Sequence, residues 1–363
     1  MPTSLLQPIT TRPIVVGIDT HKDIHVAVAL DHLGRRLAEL HVPTTSAGYA
    51  SLEQWAASLG MVEVFGIEGT GSYGAGVARF LRQRNHRLIE VNRPDRATRH
   101  RLGKSDPIDA EMAARLVLAG VATGTPKAGD GPVEMLRLLK LAKDSAVKMR
   151  TQSMNQIKAV VVTAAADLRD TLTGLPSGQL INRCAAFRPG PLTSGTAVAK
   201  YTLRLLAQRH LELSREIDAL QVEIDRLVSV AAPALLNVFG IQADGAARLL
   251  VTAGDNPDRL RSEAAFAALC GSNPVPASSG KTQRHRLNRG GDRQANATLH
   301  RIVVVRLRWH APTQAYMRRR LAEGKTKPEI MRCLKRYVAR EVFAILRPPA
   351  AIQPPVDDVV RAA

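Results

Sequence analysis

Four acidic residues have types and spacings that could support phosphoryl-transfer chemistry. Asp19 and Glu68 each end a β-branched run, and "GKSDPIDAEMAARL" places Asp106 and Asp109 three residues apart before a helical pattern. Converging carboxylates raise one another's pKa unless a cation lies among them. Oxygen ligands suit Mg²⁺ or Mn²⁺, and two such ions about 3.5–4 Å apart can activate an attacking oxygen and stabilise a leaving one. The four acids therefore predict a divalent-metal site.

Each acid taken singly also has a purely structural interpretation. Aspartate near a helix start satisfies free N–H groups and suits the positive end of the helix dipole, and Pro107 favours a helix start there. An aspartate at the end of a strand often caps a turn. The joint pattern in a strongly basic chain favours the metal site.

Alternating strands and helices must position these acids. Residues 14–42 read as a meander of three strands, and a helix, a strand ending at Glu68, a second helix and a short strand from Arg87 follow. This order predicts an α/β domain with a mixed sheet, whose strand ends place Asp19 and Glu68 where such sheets bind ligands. A spacing of three puts the other two acids on one helix face.

The charge of the chain predicts a polyanionic partner. Lys and Arg total 51 against 32 Asp and Glu, a formal net charge of +19, while aromatic residues are only 4%. Phosphate contacts through these cations give salt-sensitive affinity rather than sequence specificity. The residues predicted to bind nucleic acid are Arg93, Arg96, Arg99, Arg101 and Lys104 in a first cluster, and Lys281, Arg284, Arg286, Arg289 and Arg293 in a second.

The second basic cluster follows two adjacent hydroxyl groups. "NPVPASSGKTQRHR" carries Ser278 and Ser279 directly before Gly280. Serine and glycine are ordinary loop residues, and a hydroxyl is a poor nucleophile unless a base, a metal or cations activate it. Several cations lie nearby in the sequence, and glycine would let a nucleic-acid backbone approach Ser279 closely.

The middle of the chain reads as long helices. "TGTPKAGDGP" marks a boundary, after which we expect Met135 and Met149 on a core face and Lys140 outside it. Apolar residues between Leu206 and Leu227 have coiled-coil spacing, either within the protomer or between protomers. The predicted domains are 12–122, 130–230, a mainly α-helical 231–348 and a flexible tail at 349–363.

Composition and patterning also argue against a membrane-spanning or secreted protein. No run approaches the roughly 20 apolar residues of a membrane span and no signal peptide is evident, which predicts a cytoplasmic protein. Cys184, Cys270 and Cys333 lack metal-site spacing and fit buried positions in a reducing compartment.

Three segments, "VVGIDTHKDIHVAVALD", "FGIEGTGSYG" and "KSDPIDAEMAARL", resemble the DEDD transposases of insertion sequences related to the Piv invertase, described as bridge-RNA-guided recombinases. The resemblance implies a RuvC-like, RNase-H-type N-terminal domain and a C-terminal transposase domain. It also implies Mg²⁺ (or Mn²⁺), a noncoding bridge RNA, and a homo-oligomer, dimer or tetramer, on two DNA molecules. The acidic tetrad falls on Asp19, Glu68, Asp106 and Asp109, and the serine nucleophile on Ser279, with Ser278 as the alternative.

Two other functions stay open at this point. A RuvC-like nuclease that resolves Holliday junctions or other DNA structures would need the acids but no serine. A non-enzymatic nucleic-acid-binding protein would need only the arginines and lysines. "GIDTHK" can also open an actin-like or sugar-kinase fold, but no second phosphate-binding hairpin or adenosine pocket follows Asp109.

Overall fold

The computed structural model describes residues 12–92, 105–256, 259–280 and 285–347. The chain divides into two compact units. The first comprises the described residues up to Gly131 together with Ala253–Arg261, and the second comprises Pro132–Thr252 together with the described residues from Ser262. The sequence boundaries at 122, 130, 230 and 348 stay predictions.

The first unit is built on a mixed five-stranded sheet, as predicted. The strands are β1 Pro13–Thr20, β2 Ile24–Asp31, β3 Arg36–Pro43, β4 Met61–Glu68 and β5 Leu88–Val91, and the helices are α1 Ser46–Leu59, α2 Ala75–Gln83 and α3 Asp106–Leu118. The strand order is β3-β2-β1-β4-β5, in which β2 pairs antiparallel with β1 and β3, β4 pairs parallel with β1, and β5 pairs parallel with β4. This sheet with its helices fits an RNase-H-like fold.

Both faces of the central strands are buried because helices cover both. Alternate side chains of β1 point to opposite faces, so Val16 and Ile18 pack with Leu52 of α1 and its neighbours, while Val15 packs with Ala114 of α3. This two-sided burial explains why β1 reads as a continuous apolar run rather than an alternating one.

Two glycines let α3 lie unusually close to the sheet. Gly17 of β1 and Gly66 of β4 are neighbours in the register of the parallel strands. A Cβ atom on Gly17 would lie 2.0 Å from the carbonyl oxygen of Ala110 and 2.5 Å from the amide nitrogen of Ala114. On Gly66 it would lie 2.7 Å from Cγ2 of Val117. The pair therefore sets the height of α3, and with it the position of the acids at the start of that helix.

We expect Gly17→Ala to displace α3 and to cost about 1–3 kcal/mol in the free energy of unfolding, as overpacked cores do. Because the displacement moves Asp106 and Asp109, the phosphoryl-transfer chemistry predicted from these acids should fall as well. Urea denaturation and a cleavage assay measure the two effects. Gly178→Ala is the matched control, since a Cβ atom there would meet no atom within 4 Å. Equal stability of the two variants would contradict this role of Gly17.

The second unit begins with two long helices, α4 Pro132–Thr163 and α7 Gly195–Ala231, which pack against each other. Ala146 packs with Leu213 and Ile217, and Ile157 shares a core cluster with Leu203, so the two helices run in opposite directions. The apolar seam of α7 is thus used within the chain, and a coiled coil between protomers stays a prediction. The short helices α5 Ala166–Leu172 and α6 Ser177–Ala185 cover one end of the pair.

The predicted core face of α4 is wrong in part. Met135 and Met149 are exposed, whereas the lysine expected outside, Lys140, is only 3% exposed. Its ammonium lies 2.5 Å from Oδ1 of Asp244, which Lys143 also approaches at 2.7 Å. Burial alone would raise the pKa of Asp244, but these two hydrogen bonds lower it to about 2. A buried ion-pair cluster, rather than methionine packing, therefore joins α4 to a later helix.

That later helix belongs to the C-terminal half, which is mainly helical as predicted. Two short strands interrupt it as an antiparallel hairpin. Among the described residues, every helix is too short or too polar to span a lipid bilayer. The elements are α8 Pro233–Leu236, α9 Ala243–Ala253, α10 Glu263–Leu269, β6 Pro274–Pro276, β7 His285–Leu287, α11 Arg293–Trp309, α12 Ala311–Ala322 and α13 Lys327–Leu346.

Candidate functional site

Two of the predicted acids lie side by side at one edge of the sheet. Asp19 is near the end of β1 and Glu68 is the last residue of β4, and the two strands are parallel neighbours. Both residues are buried, at 6% and 7% exposure. The hydroxyl of Thr20 donates to the backbone oxygen of Glu68 at 2.9 Å and ties the two strand ends together.

The other two acids come from the first turn of α3. This helix begins at Asp106 after Ser105, with Pro107 in its first turn, so the structural interpretation of the sequence as a helix start is also correct. The side chain of Asp106 is 53% exposed, and its Oδ1 lies 3.3 Å from Nε2 of His21. The same imidazole nitrogen lies 3.0 Å from Oδ2 of Asp19. The imidazole therefore bridges the strand end and the helix start.

The electrostatics of Asp19 show that the acids are close enough to act on one another. Burial is the largest influence and raises the pKa of Asp19 above its usual value. The neighbouring His21 lowers this pKa, while the charges of Glu68 and Asp109 raise it further. Asp19 thus interacts with two other acids directly and with Asp106 through the imidazole. The structure thus places Asp19 and Asp106 on either side of one imidazole, with Glu68 and Asp109 near enough for their charges to act on Asp19.

This arrangement fits a divalent cation. One ligand atom from each of Asp19, His21 and Asp106 lies within 4.8 Å of the others. Burial and neighbouring negative charges raise the pKa of Asp19, which means that its ionised form is short of stabilising positive charge nearby. A cation bound among the acids would supply that charge. Carboxylate oxygens suit Mg²⁺, and an added imidazole nitrogen is also compatible with transition metals such as Mn²⁺.

His21 is the residue of this site that the sequence interpretation missed. It lies two positions after Asp19, and alternation along an extended segment places such residues on the same side. This spacing was the available signal. It could not be used alone, because a histidine after a strand is commonly a plain surface residue.

The predicted serines belong to the second unit. Ser278 and Ser279 follow β6 and are exposed. Gly280 has a φ of +55°, a left-handed conformation that favours glycine. The base of the hairpin is held tightly, since a Cβ atom on Gly291 would lie 2.2 Å from the amide nitrogen of Gly271. The chain therefore presents the two hydroxyl groups from an anchored hairpin.

The predicted basic residues fall into two groups. Arg286, Arg289 and Arg293 are exposed, the first in β7 and the last at the start of α11. The remaining predicted cations lie outside the described residues: Arg93, Arg96, Arg99, Arg101, Lys104, Lys281 and Arg284.

Comparison with protein families identifies the class of protein. Residues 16–165 match a transposase family model for the DEDD transposases of IS110, and this range contains all four acids. Residues 232–318, which contain both serines, match the model described as transposase IS116/IS110/IS902 family. The two matches cover about two thirds of the chain, so the protein is a transposase, a class of enzymes that cut and rejoin DNA.

Within that class, the chain belongs to the IS110 family of insertion-sequence transposases. A comparison with curated proteins found no match.

Proposed function

We propose that this transposase is a DNA recombinase in which the acids Asp19, Glu68, Asp106 and Asp109 hold Mg²⁺ or Mn²⁺ and Ser279 is the nucleophile. The convergence of the acids around buried Asp19 carries the proposal, because its raised pKa gives these residues a reason to bind a cation. When bound, a divalent ion neutralises charge on the phosphoryl oxygens and on the leaving oxygen. Ser278 is the alternative nucleophile.

The chemistry assigned to Ser279 conserves the number of phosphoester bonds. Its Oγ forms a bond to phosphorus, the bond from phosphorus to one nucleoside oxygen breaks, and that oxygen takes a proton. Rejoining reverses the step with a hydroxyl from a different DNA end. No nucleotide hydrolysis is required, because the serine ester preserves the energy of the original bond. The left-handed Gly280 next to the serine leaves room for the DNA backbone.

The partners of the proposed reaction are two DNA molecules and a noncoding bridge RNA. The net charge of +19 supports a polyanionic partner, and the resemblance of the DEDD segments to RNA-guided recombinases supports the RNA. A homo-oligomer, dimer or tetramer, would bring the two DNA molecules together.

A strand-exchange assay with purified protein, its co-purified RNA and element-end and target DNA tests this function. Removal of metal with a chelator should abolish recombinant product, and added Mg²⁺ or Mn²⁺ should restore it. RNase treatment before DNA addition should also abolish product, while DNA binding through the basic residues persists. Recombination that continues without metal, or after complete RNA digestion, would contradict the corresponding part of the proposal.

A metal-dependent, structure-specific nuclease is the second candidate. The observation in its favour is that the acids are complete within the first unit, without any contribution from the serine hairpin. Such an enzyme would cleave junction DNA in the same assay without rejoining it and without forming a protein–DNA ester. Cleaved but never exchanged strands would support this function over the recombinase.

A further inference from the structure

A positively charged cavity lies beside the hairpin that carries the serines. Its volume is about 260 Å³, and its walls come from both hairpin strands and from α13. Acids are scarce in this lining, where Glu329 already accepts hydrogen bonds from the amide and hydroxyl of Thr326. The basic residues that line the cavity are Arg286, Lys325, Arg332, Lys335 and Arg336.

Lys335 is the unusual member of this lining. It is only 6% exposed, and its ammonium donates to Oδ1 of Asn296 at 2.9 Å. Among the described residues no carboxylate lies within ion-pair distance of it, although an ammonium has three donors and a buried charge is costly when unpaired. Burial lowers the pKa of Lys335, and the charge of Arg332 lowers it further. The buried ammonium therefore lacks an anion.

The position of Lys335 is fixed by neighbouring backbone. The side-chain Nδ2 of Asn296 donates to the backbone oxygens of Cys270 and Gly271 at 2.9 and 2.8 Å, which orients Oδ1 toward the ammonium. Lys335 also lines a second, more open cavity of about 640 Å³, together with Arg289 and Arg293. It thus lies where two cationic cavities meet, and its orientation does not depend on a flexible partner.

We propose that this cavity binds a backbone phosphate of a nucleic-acid strand, with Lys335, Arg286 and Arg332 as ligands, next to the serine hairpin. In the described part of the chain, neither arginine has a carboxylate at ion-pair distance, although the charge of Arg332 acts on Glu329 in the same lining, so both keep donors for an anion. A phosphodiester would satisfy the free donors of Lys335 with charge-assisted hydrogen bonds. The adjoining cavity would accept a further phosphate of the same strand. That the site holds a strand in place for Ser279 rests on the proposed function. That it binds a phosphate does not depend on the proposed function.

Binding of short single strands by the full-length protein tests the site. The two arms of the experiment use fluorescent DNA and RNA oligonucleotides of the same sequence. The affinity of each is measured without metal, on protein washed free of nucleic acid. Lys335→Met should weaken binding roughly tenfold in at least one arm and lower the slope of affinity against salt by about 0.7, the loss of one phosphate contact. The arm that changes identifies the strand as DNA or RNA.

Lys327→Met is the matched control, because Lys327 is an exposed lysine at the start of the same helix and lines neither cavity. It removes the same formal charge and should leave affinity nearly unchanged. Equal effects of the two variants in both arms would overturn the site, because net charge would then account for the binding.

A second measurement needs no variant. Cys333 lines the cavity and is partly exposed, whereas Cys184 and Cys270 are buried, with pKa values raised by burial to about 11 and about 12. Saturating oligonucleotide should slow alkylation of Cys333 and leave the two buried thiols as internal references. An unchanged rate for Cys333 would overturn the proposal. Neither binding measurement involves metal or strand cleavage. If oligonucleotide protects Cys333 from alkylation but the protein does not recombine DNA, the result counts against the proposed function alone.

Discussion

Asp106→Ala should reduce DNA strand exchange by at least about a thousandfold while the protein remains folded. The carboxylate lies beside His21 at the exposed start of α3, so its loss leaves no cavity in a core. Removing a ligand that positions a divalent cation forfeits several kcal/mol of charge stabilisation in the transition state, and each 1.36 kcal/mol is worth a factor of ten in rate. Exchange rates at saturating DNA measure the effect.

Thermal unfolding gives this variant a readout besides activity. Mg²⁺ or Mn²⁺ should raise the Tm of the wild-type protein by binding the folded state, and Asp106→Ala should lose most of that gain. Glu111→Gln is the matched control, since Glu111 is an acid on the same helix that pairs with Arg115 instead. If the Asp106→Ala protein exchanges strands normally, the proposed catalytic role of the acids is wrong.

Ser279→Ala should abolish recombination, whereas Ser278→Ala should retain most of it. Without the hydroxyl no ester to the protein can form, so the effect exceeds that of a lost binding contact. Both serines are exposed in the same segment, so neither substitution removes core packing. Recombination of a reporter plasmid, with protein amounts matched, measures the difference between the two variants.

Ser278→Ala is thus the internal control for Ser279→Ala, because it makes the same chemical change one residue away. DNA affinity should be similar for both variants, which separates binding from chemistry. If Ser278→Ala is the inactive variant, the nucleophile is the other hydroxyl. If both variants recombine normally, neither hydroxyl is the nucleophile and the serine chemistry is wrong.

The sheet and its acids could be predicted from the sequence because local patterns specify them. Apolar runs bounded by turn residues define β1, β2 and β4, and the polar residue that ends a buried strand stands out by contrast. The first turn of α3 is likewise local, since Pro107 favours a helix start. The motifs then located the four acids by resemblance to a known family.

The remaining features depend on contacts between distant parts of the chain. Lys140 looks like a surface lysine until Asp244, far along the sequence, supplies its partner. Lys335 likewise looks like one cation among many in a basic helix, and only the packing of α13 against α11 buries it. The bridging position of His21 requires α3 to approach the strand end, which the two glycines permit. Periodicity carries no information on such pairings.

Detection of a covalent protein–DNA ester decides whether Ser279 is the nucleophile of this transposase. The full-length protein would be incubated with its RNA, Mg²⁺ and end-labelled DNA, denatured, and digested so that the nucleotide-bearing peptide can be sequenced by mass spectrometry. We expect a metal-dependent adduct on Ser279 that is absent from Asp106→Ala. Metal-dependent strand cleavage with no adduct on any residue would contradict it.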